Sequence, residues 1–451
     1  MNIIIIGCGK VGTTLAAELN EEGNNITVVD MDGAIVERVA AQNDIMGVIG
    51  NGATHSVQAE AGIGEADLLI AVTGSDELNL LCCTVAKMNG TCQTIARVRN
   101  PDYSADAPYL KRELGLAMVI NPEQATAAEI ARVLRFPSAS KVETFAGGRV
   151  ELIKFRLPEG SPLVGMAVKD VAGKLKCDVL FCTVEREDEA YIANGDFVFA
   201  ERDVVSIIAP AKSVGRFFEK IRYKSHAAKN AILLGGGDIS RYLCEILIGL
   251  GVSVRLIEHD AARCEALADE FPKAEIIRGG SSDKELLLEE DLCTADAFVA
   301  LTKYDEENIF ISLFAKQVGR GKVVTKINRT DFDEVTRHLD LDTVIYPENI
   351  TADIILRHVR AMKNTIGSNV ENLYHIINGK VEAAEFYVKE SCPLIGIPLA
   401  ELSLKKGVLI AAILRGKRVI IPRGRDTIEA GDAVVIVSSV LAMHDITDVL
   451  A

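Results

Sequence analysis

The chain has 451 residues, of which 49% are hydrophobic. A chain of this length is too long to fold around a single hydrophobic core, and it predicts roughly three to four domains of about 100–150 residues each. A formal net charge of −15 argues against nonspecific binding to nucleic acid or to anionic lipid, because both require a basic surface. No run of about 18 uninterrupted apolar residues occurs, and the first residues lack the layout of a secretory signal, so we expect no membrane insertion. The ten cysteines include no Cys-x-x-Cys pair and indicate reduced, buried thiols.

Short β-branched runs alternate with amphipathic stretches over residues 1–135, a pattern typical of βαβ units and a parallel sheet. The predicted strands are 2–6, 26–30, 46–49, 68–72, 93–98 and 117–120, with helices such as 11–22 and 33–42 between them. The same pattern returns after residue 230, with strands near 231–234, 253–257, 275–278, 297–301, 322–327 and 343–346. The sequence therefore predicts two Rossmann-like domains.

A different, smaller module follows each of these domains. Its short alternating strands and its turns, such as Pro422-Arg423-Gly424, predict a β-rich α+β domain. The predicted fold class is thus α/β, with two doubly wound parallel-sheet domains that are each followed by a small α+β domain. The predicted boundaries are 1–140, 141–216, a hinge at 217–229, 230–365 and 366–451.

The first glycine-rich turn lies between the first predicted strand and the first predicted helix, and Asp30 ends the second strand. Glycines let a pyrophosphate approach the backbone, and the start of the helix offers free N–H groups to it. A carboxylate at the end of the second strand accepts hydrogen bonds from both ribose hydroxyls, which favours NAD or an adenine nucleotide over NADP. Lys10 adds a positive charge beside the phosphates. The candidate residues of this site are Gly7, Cys8, Gly9, Lys10, Val11, Gly12, Asp30, Asn51, Ala53, Thr73, Gly74 and Arg97.

The same arrangement recurs 228 residues further along, from Gly7 to Gly235, and it keeps an acidic residue at Glu258. An in-register duplicate with its acidic partner indicates a repeated nucleotide-binding unit. Asp238 stands in the place of Lys10 and repels phosphate, while Ser240 replaces the third glycine. We expect the second site to be weaker or differently selective. Its candidate residues are Gly235, Gly237, Asp238, Ile239, Glu258, Thr302 and Lys326.

The sequence offers no catalytic residues and no metal ligands. None of the seven histidines has an evident catalytic context, and no Gly-x-Ser-x-Gly, His-Glu-x-x-His or Walker motif is present. These observations favour two binding modules without chemistry. An NAD-dependent oxidoreductase with tandem Rossmann domains and a scaffold with empty glycine turns remain alternatives.

Taken together, these motifs resemble the TrkA family of Trk potassium uptake regulatory proteins, which consist of two tandem RCK (regulator of potassium conductance) units. The resemblance covers essentially the whole chain. It is carried by the two glycine turns, Ala71-Val72-Thr73, Asp76-Glu77-Leu78-Asn79, Ile95-Ala96-Arg97, Asn121-Pro122-Glu123, Pro162-Leu163-Val164-Gly165 and Glu429-Ala430-Gly431-Asp432.

The resemblance implies a cytoplasmic regulator, peripheral to the inner face of the cell membrane, that is not an enzyme. It implies a homo-oligomer, a tetramer forming a ring of eight RCK units, beneath a Trk-type potassium channel or transporter subunit. Binding of NAD(H) or ATP/ADP would shift this ring between conformations. The resemblance also places Lys10 at the basic phosphate contact of some relatives and Glu123 at a subunit contact, and the departures at Asp238 and Ser240 leave the ligand of the second site open.

Overall fold

The computed structural model describes residues 1–136, 139–145, 149–158, 160–186, 189–210, 213–223, 228–280, 283–329, 336, 339–365, 370–376, 381–439, 443 and 445–450. Residues 224–227 of the predicted hinge, and the predicted boundary at residue 366, lie outside the described residues. The first residues of the predicted hinge belong to the helix Val214–Lys220.

The first part of the chain forms a doubly wound α/β domain. Its elements are β1 (Asn2–Ile6), α1 (Lys10–Glu21), β2 (Asn25–Asp30), α2 (Gly33–Asn43), β3 (Met46–Ile49), α3 (His55–Glu60), β4 (Leu68–Ala71), α4 (Asp76–Asn89), β5 (Gln93–Arg97), α5 (Pro101–Ala105), α6 (Ala107–Glu113), β6 (Met118–Ile120) and α7 (Pro122–Arg135). The strands form a parallel sheet in the order β3-β2-β1-β4-β5-β6. The central strand β4 is buried along its whole length, as expected where helices cover both faces of a sheet.

A small domain follows, with β7 (Ala139–Phe145), β8 (Val150–Arg156), α8 (Val168–Leu175), β9 (Leu180–Arg186), β10 (Glu189–Ile192), β11 (Val204–Pro210) and α9 (Val214–Lys220). Its antiparallel sheet has the order β10-β9-β11-β8-β7. Alternate residues of these strands face different hydrophobic clusters, which is the period-2 pattern that marks the segment in the sequence.

The second doubly wound domain repeats the first. Its elements are β12 (Asn230–Leu234), α10 (Asp238–Gly249), β13 (Ser253–Glu258), α11 (Ala261–Glu270), β14 (Glu275–Arg278), α12 (Lys284–Glu289), β15 (Ala297–Ala300), α13 (Asp305–Val318), β16 (Lys322–Lys326), β17 (Thr343–Ile345) and α14 (Pro347–Thr365). The parallel sheet has the equivalent order β14-β13-β12-β15-β16-β17. In both domains each predicted strand is present, with its ends displaced by at most one residue.

The last segment forms a second small domain, with β18 (Val370–Ile376), β19 (Val381–Tyr387), β20 (Val408–Arg415), β21 (Arg418–Ile420) and β22 (Ala433–Ser438). Its antiparallel sheet has the order β18-β19-β22-β20-β21. The predicted fold class, two Rossmann-like domains each followed by a small domain, is confirmed. None of the helices in the described residues combines the length and the apolar character that crossing a bilayer requires.

The chain divides into two compact units that each combine segments from both halves. One unit contains Met1–Leu134 and Ala228–Leu356, and the other contains Arg135–Ala227 and Arg357–Ala451. In the first unit Ile130 and Leu134 of α7 lie in the same core as Leu243 of α10, so the two Rossmann-like domains share apolar packing. In the second unit the strands of both small sheets contribute to one common core.

We expect Gly12→Ala to destabilise the first domain. A Cβ at Gly12 would lie 1.9 Å from the carbonyl oxygen of Gly7, so α1 has to move away from the turn. Such overpacking costs about 1–3 kcal/mol of unfolding free energy, more than the ~1 kcal/mol that alanine gains over glycine in helix propensity. Thermal unfolding measures the difference. Gly9→Ala is the matched control, because a Cβ at Gly9 meets no atom within 4 Å; equal stability of the two variants would contradict this close packing.

Candidate functional site

The first glycine turn requires glycine at two positions for different reasons. Gly7 has a φ of 103°, and a Cβ there would lie 2.9 Å from the amide nitrogen of Thr73 at the end of β4. Gly12 allows α1 to pack against the carbonyl of Gly7. Gly9 caps α1 without a side-chain hydrogen bond, so the first amides of the helix remain available to an anion.

Asp30 lies beside this turn at the carboxyl end of β2. One carboxylate oxygen accepts a hydrogen bond from the amide of Cys8 (2.7 Å) and the other accepts one from the amide of Asp32 (3.1 Å). A carboxylate has about four acceptor positions, so this half-buried side chain retains capacity for two hydroxyl donors. Burial, with a further contribution from Asp30, raises the pKa of the Cys8 thiol to about 12, so the thiol is neutral at physiological pH.

The loops after β3 and β4 carry the other residues that the sequence predicts for the first site. The side chain of Asn51 accepts a hydrogen bond from the amide of Ala53 (3.0 Å) and closes the loop after β3. The amide and the hydroxyl of Thr73 both donate to the side-chain oxygen of Asn79, at 2.8 and 2.7 Å. Gly74 follows Thr73, and its carbonyl accepts a hydrogen bond from Arg99. These residues therefore lie at the edge where open α/β sheets bind ligands.

The Asp-x-x-Asn motif at the start of α4 was not predicted to shape the site, yet it holds two of the site's loops. Asn79 is fully buried and also donates to the carbonyl of Arg97 (2.8 Å). Asp76 accepts two backbone amides of the loop after β5, at 2.9 and 2.7 Å. Asn308 and Asp305 make the equivalent bonds in the second copy. The match between the two copies of this motif is the sequence signal that identifies these residues.

A cavity of about 310 Å³ lies where the two Rossmann-like domains meet within the first compact unit. We call it the repeat-interface cavity. It brings together residues that the sequence assigns to different copies, including Asn328 and Glu348, which were not predicted. The predicted residues that line it are Gly9, Lys10, Val11, Arg97, Glu123, Gly237, Asp238, Ile239 and Lys326.

Lys10 extends from the first glycine turn to the second half of the chain. Its ammonium donates a hydrogen bond to the carbonyl of Asn328 (2.6 Å) and lies 3.6 Å from a carboxylate oxygen of Glu348. The sequence predicts this lysine beside the phosphates of the first site. In the structure the side chain joins the first turn to the start of α14, so the two halves are linked at the turn itself.

A half-buried arginine and a buried lysine face the repeat-interface cavity. Arg97 and Lys326 occupy equivalent positions on β5 and β16, and neither side chain forms a hydrogen bond or ion pair within the described part of the chain. Burial lowers the pKa of Arg97, as does the nearby charge of Arg99, whereas Glu123 opposes this shift. Burial likewise lowers the pKa of Lys326, against the attraction of neighbouring carboxylates. Both cations would gain from an anionic ligand.

Two carboxylates face the same cavity from the first turns of α7 and α14. Burial raises the pKa of Glu123, the nearby Asp238 adds to this effect, and Arg97 opposes it. Burial also raises the pKa of Glu348, and the charge of Lys10 opposes that shift. One carboxylate oxygen of Glu123 is buried without a hydrogen-bond partner among the described residues.

The second glycine turn borders a different cavity, of about 530 Å³, which we call the second-turn cavity. The predicted residues that line it are Gly235, Gly237, Glu258, Thr302 and Lys326, joined by His259 and Tyr304. Ser240, in the place of Gly12, is buried, and its hydroxyl donates to the carbonyl of Gly235. Asp238 and Ile239 face the repeat-interface cavity instead.

Comparisons with known proteins agree across the whole chain. The TrkA-N domain family matches residues 3–122 and 231–347, and the TrkA-C domain family matches residues 152–222 and 383–451. A Trk system potassium uptake protein TrkA homolog from Methanosarcina mazei is 33% identical over 455 residues, covering 99% of each chain. The Trk system potassium uptake protein TrkA of Halomonas elongata is 33% identical over 442 residues, covering 97% of this chain and 95% of the relative.

Solved structures share the fold. The GsuK channel superposes with a TM-score of 0.64 at 16% identity, covering 97% of this chain and 76% of that chain. The GsuK channel bound to NAD superposes with a TM-score of 0.62, also at 16% identity and with the same coverage.

We expect Glu123→Gln to stabilise the protein increasingly as the pH rises. Because the folded-state pKa of Glu123 is raised, its contribution to stability is complete below the unfolded value of about 4.3 and is lost as the pH rises through the folded value. Glutamine stays neutral throughout, so the melting temperature of the variant should exceed that of wild type by more at about pH 8 than at about pH 4. Glu60→Gln, at an exposed position on α3, is the control. A difference from wild type that does not change with pH would contradict the buried-carboxylate interpretation.

Proposed function

This chain belongs to the TrkA family of Trk system potassium uptake proteins, and on that premise we propose that it is a nucleotide-sensing regulatory subunit of a potassium transport system. In this proposal it gates a Trk-type channel or transporter through a ligand-driven change in the conformation of a ring. The observation that carries the proposal is the duplicated glycine turn with an acidic residue beside each copy.

The residues of the first site fit NAD(H) or ATP/ADP. The turn presents backbone without side chains at Gly7 and Gly12, and the first amides of α1 are not capped by a side chain. Asp30 retains acceptor positions for a ribose diol, and Arg97 carries a buried Nε without a hydrogen-bond partner in the described residues. A bound nucleotide supplies the negative charge of its phosphates. The remaining residues assigned to this site are proposed to form its rim.

The mechanism that the geometry supports is a population shift. Lys10 connects the first turn to Glu348 of the second half, and Arg97 faces the cavity between the halves. A change in the interactions of these cations therefore alters the contact between the two Rossmann-like domains. A ligand moves this equilibrium only by its differential affinity for the two arrangements, and about 1.4 kcal/mol per site corresponds to a tenfold shift.

The proposal includes no catalytic step. We also propose the four domains at the boundaries predicted from the sequence, and a cytoplasmic location at the inner face of the membrane through a membrane-embedded partner. Steady turnover of NADH with a small carbonyl compound would instead favour the oxidoreductase alternative.

We propose that the protein assembles as a homo-oligomer, a tetramer forming a ring of RCK units. Leu81 on α4 is 51% exposed, and Phe310, at the equivalent position on α13, is 72% exposed. Large apolar side chains at the same place in both repeats suit a contact that is repeated around a ring. Met88, two turns further along the same face of α4, is also exposed.

We expect Asp30→Ala to weaken nucleotide binding at the first site. Loss of hydrogen bonds from a ribose diol to a carboxylate costs about 1.5–3 kcal/mol, which corresponds to roughly a ten- to hundredfold loss of affinity. Calorimetric titration with ADP, ATP, NAD and NADH measures the change, and potassium uptake in cells that carry the variant should lose its response to nucleotide.

Glu37→Ala is the control for this experiment, because Glu37 is an exposed acidic residue on the neighbouring helix α2. Thermal unfolding verifies that Asp30→Ala folds, since the amide of Cys8 also loses its acceptor. Unchanged affinity in the folded variant for all four nucleotides would contradict the assignment of Asp30.

We expect Leu81→Glu and Phe310→Glu to reduce the mass of the assembly. Burial of a leucine or phenylalanine contributes about 1.5–3 kcal/mol, and a charge placed in an apolar contact opposes association. Light scattering after gel filtration measures the mass. Leu250→Glu is the matched control, because Leu250 is 53% exposed, close to the value for Leu81. Retention of the wild-type mass by both test variants would exclude this surface from the ring contact.

A further inference from the structure

The carboxylates beside the two glycine turns are not equally available. Asp30 accepts two backbone hydrogen bonds, one on each oxygen. One oxygen of Glu258 accepts the amide of Gly236 (2.6 Å), and the other accepts the amides of His259 (2.8 Å) and Asp260 (2.9 Å). The second oxygen also lies 2.6 Å from Nδ1 of His259. Three of these partners share one oxygen of this buried carboxylate and the fourth occupies the other oxygen, so at most one acceptor position remains, too few for a pair of ribose hydroxyls.

Two differences between the copies place Glu258 in this position: a glycine replaces Cys8 in the turn, and the longer glutamate replaces Asp30. Gly236 stands where the first turn has Cys8, and a Cβ at Gly236 would lie 2.9 Å from a carboxylate oxygen of Glu258 and 2.8 Å from the side chain of Leu267. The missing side chain makes room for the extra methylene of glutamate. Glu258 lines the second-turn cavity, but its carboxylate oxygens accept hydrogen bonds from the backbone of the turn and of the residues after β13, so the side chain supports this backbone.

The second-turn cavity nevertheless contains a cation that lacks a partner. Lys326 is only 9% exposed and lines the cavity, and its ammonium has no hydrogen bond or ion pair within the described part of the chain. The start of α10 borders the same cavity at Gly237, which caps the twelve-residue helix without a side-chain hydrogen bond. A buried lysine and an uncapped helix start together favour an anionic group.

The negative charge of Asp238 is partly compensated. Arg263 donates from Nε to the carbonyl of Gly236 (2.7 Å), and its Nη2 lies 3.4 Å from a carboxylate oxygen of Asp238. This guanidinium crosses the outer side of the turn and reduces the repulsion that a phosphate meets there. The loss of the lysine of the first copy therefore does not by itself exclude a phosphate.

We propose that the second glycine turn binds a nucleoside phosphate through its phosphate, at Lys326 and the start of α10, without reading the ribose diol. This inference rests on the proposed function, because it assigns a ligand class to the second of the two sensing sites. The first site reads the sugar through Asp30, whereas the second site tolerates sugars that lack both hydroxyls. The two repeats thus differ in which part of the nucleotide they recognise.

The test is a calorimetric titration of the full-length protein with ADP and with 2′,3′-dideoxy-ADP. Asp30→Ala weakens binding at the first site, so that binding at the second site can be measured. Lys326→Met weakens binding at the second site, so that binding at the first can be measured. In Asp30→Ala, we expect the two ligands to bind the remaining site with affinities within about twofold of each other. In Lys326→Met, we expect dideoxy-ADP to bind at least about tenfold more weakly than ADP.

Lys273→Met is the control, because Lys273 is an exposed lysine of the same domain and is not among the residues that line either cavity; we expect it to change ADP affinity by less than about twofold. The ligand comparison within one variant does not depend on how the substitution affects folding. A tenfold preference for ADP at the second site, or no ADP binding in folded Asp30→Ala, would overturn the inference. If the wild-type protein binds neither ADP nor NAD, the proposed function itself fails, which separates the two conclusions.

Discussion

In each Rossmann-like domain, a backbone amide of the glycine turn donates a hydrogen bond to a carboxylate at the end of the second strand, and this bond holds the turn in place. The amide of Cys8 donates to Asp30 in the first copy, and the amide of Gly236 donates to Glu258 in the second. The bond ties the loop after the first strand to the strand beside it. The direction of the following helix, and hence the position of its free amides, depends on that connection.

Most of the fold follows from patterns that are local in the sequence. Buried parallel strands read as short β-branched runs, and the turns between them are marked by glycine, asparagine and aspartate, so every strand of both sheets could be located within one residue. The internal repeat also predicted that the two halves of the chain have equivalent elements. It also explains why residues such as Asp76 and Asp305 recur: each holds the loop after the neighbouring strand through backbone amides.

The arrangement of the candidate site could be predicted only in part, because several of its contacts join residues that are distant in the sequence. A lysine in a glycine turn indicates a phosphate contact, but nothing local shows that Lys10 reaches Asn328 and Glu348. Similarly, a glutamate at the end of the second strand reads as a ribose contact. That backbone amides occupy both oxygens of Glu258 becomes visible only when the space left by Gly236 and the positions of the following residues are known.

Because the two repeats are fused in one chain, the two equivalent edges of the interface between them can carry different residues. At one edge Lys10 meets Glu348, which is an attractive pair. At the symmetry-related edge Asp238 and Glu123 both face the repeat-interface cavity, and burial, with a smaller contribution from Asp238, raises the pKa of Glu123. A dimer of identical subunits would carry the same pair twice. One edge of the interface is therefore joined by a pair of opposite charges, whereas the other carries two carboxylates that face a common cavity, so only the second edge offers an acidic pair to a cation or to a proton.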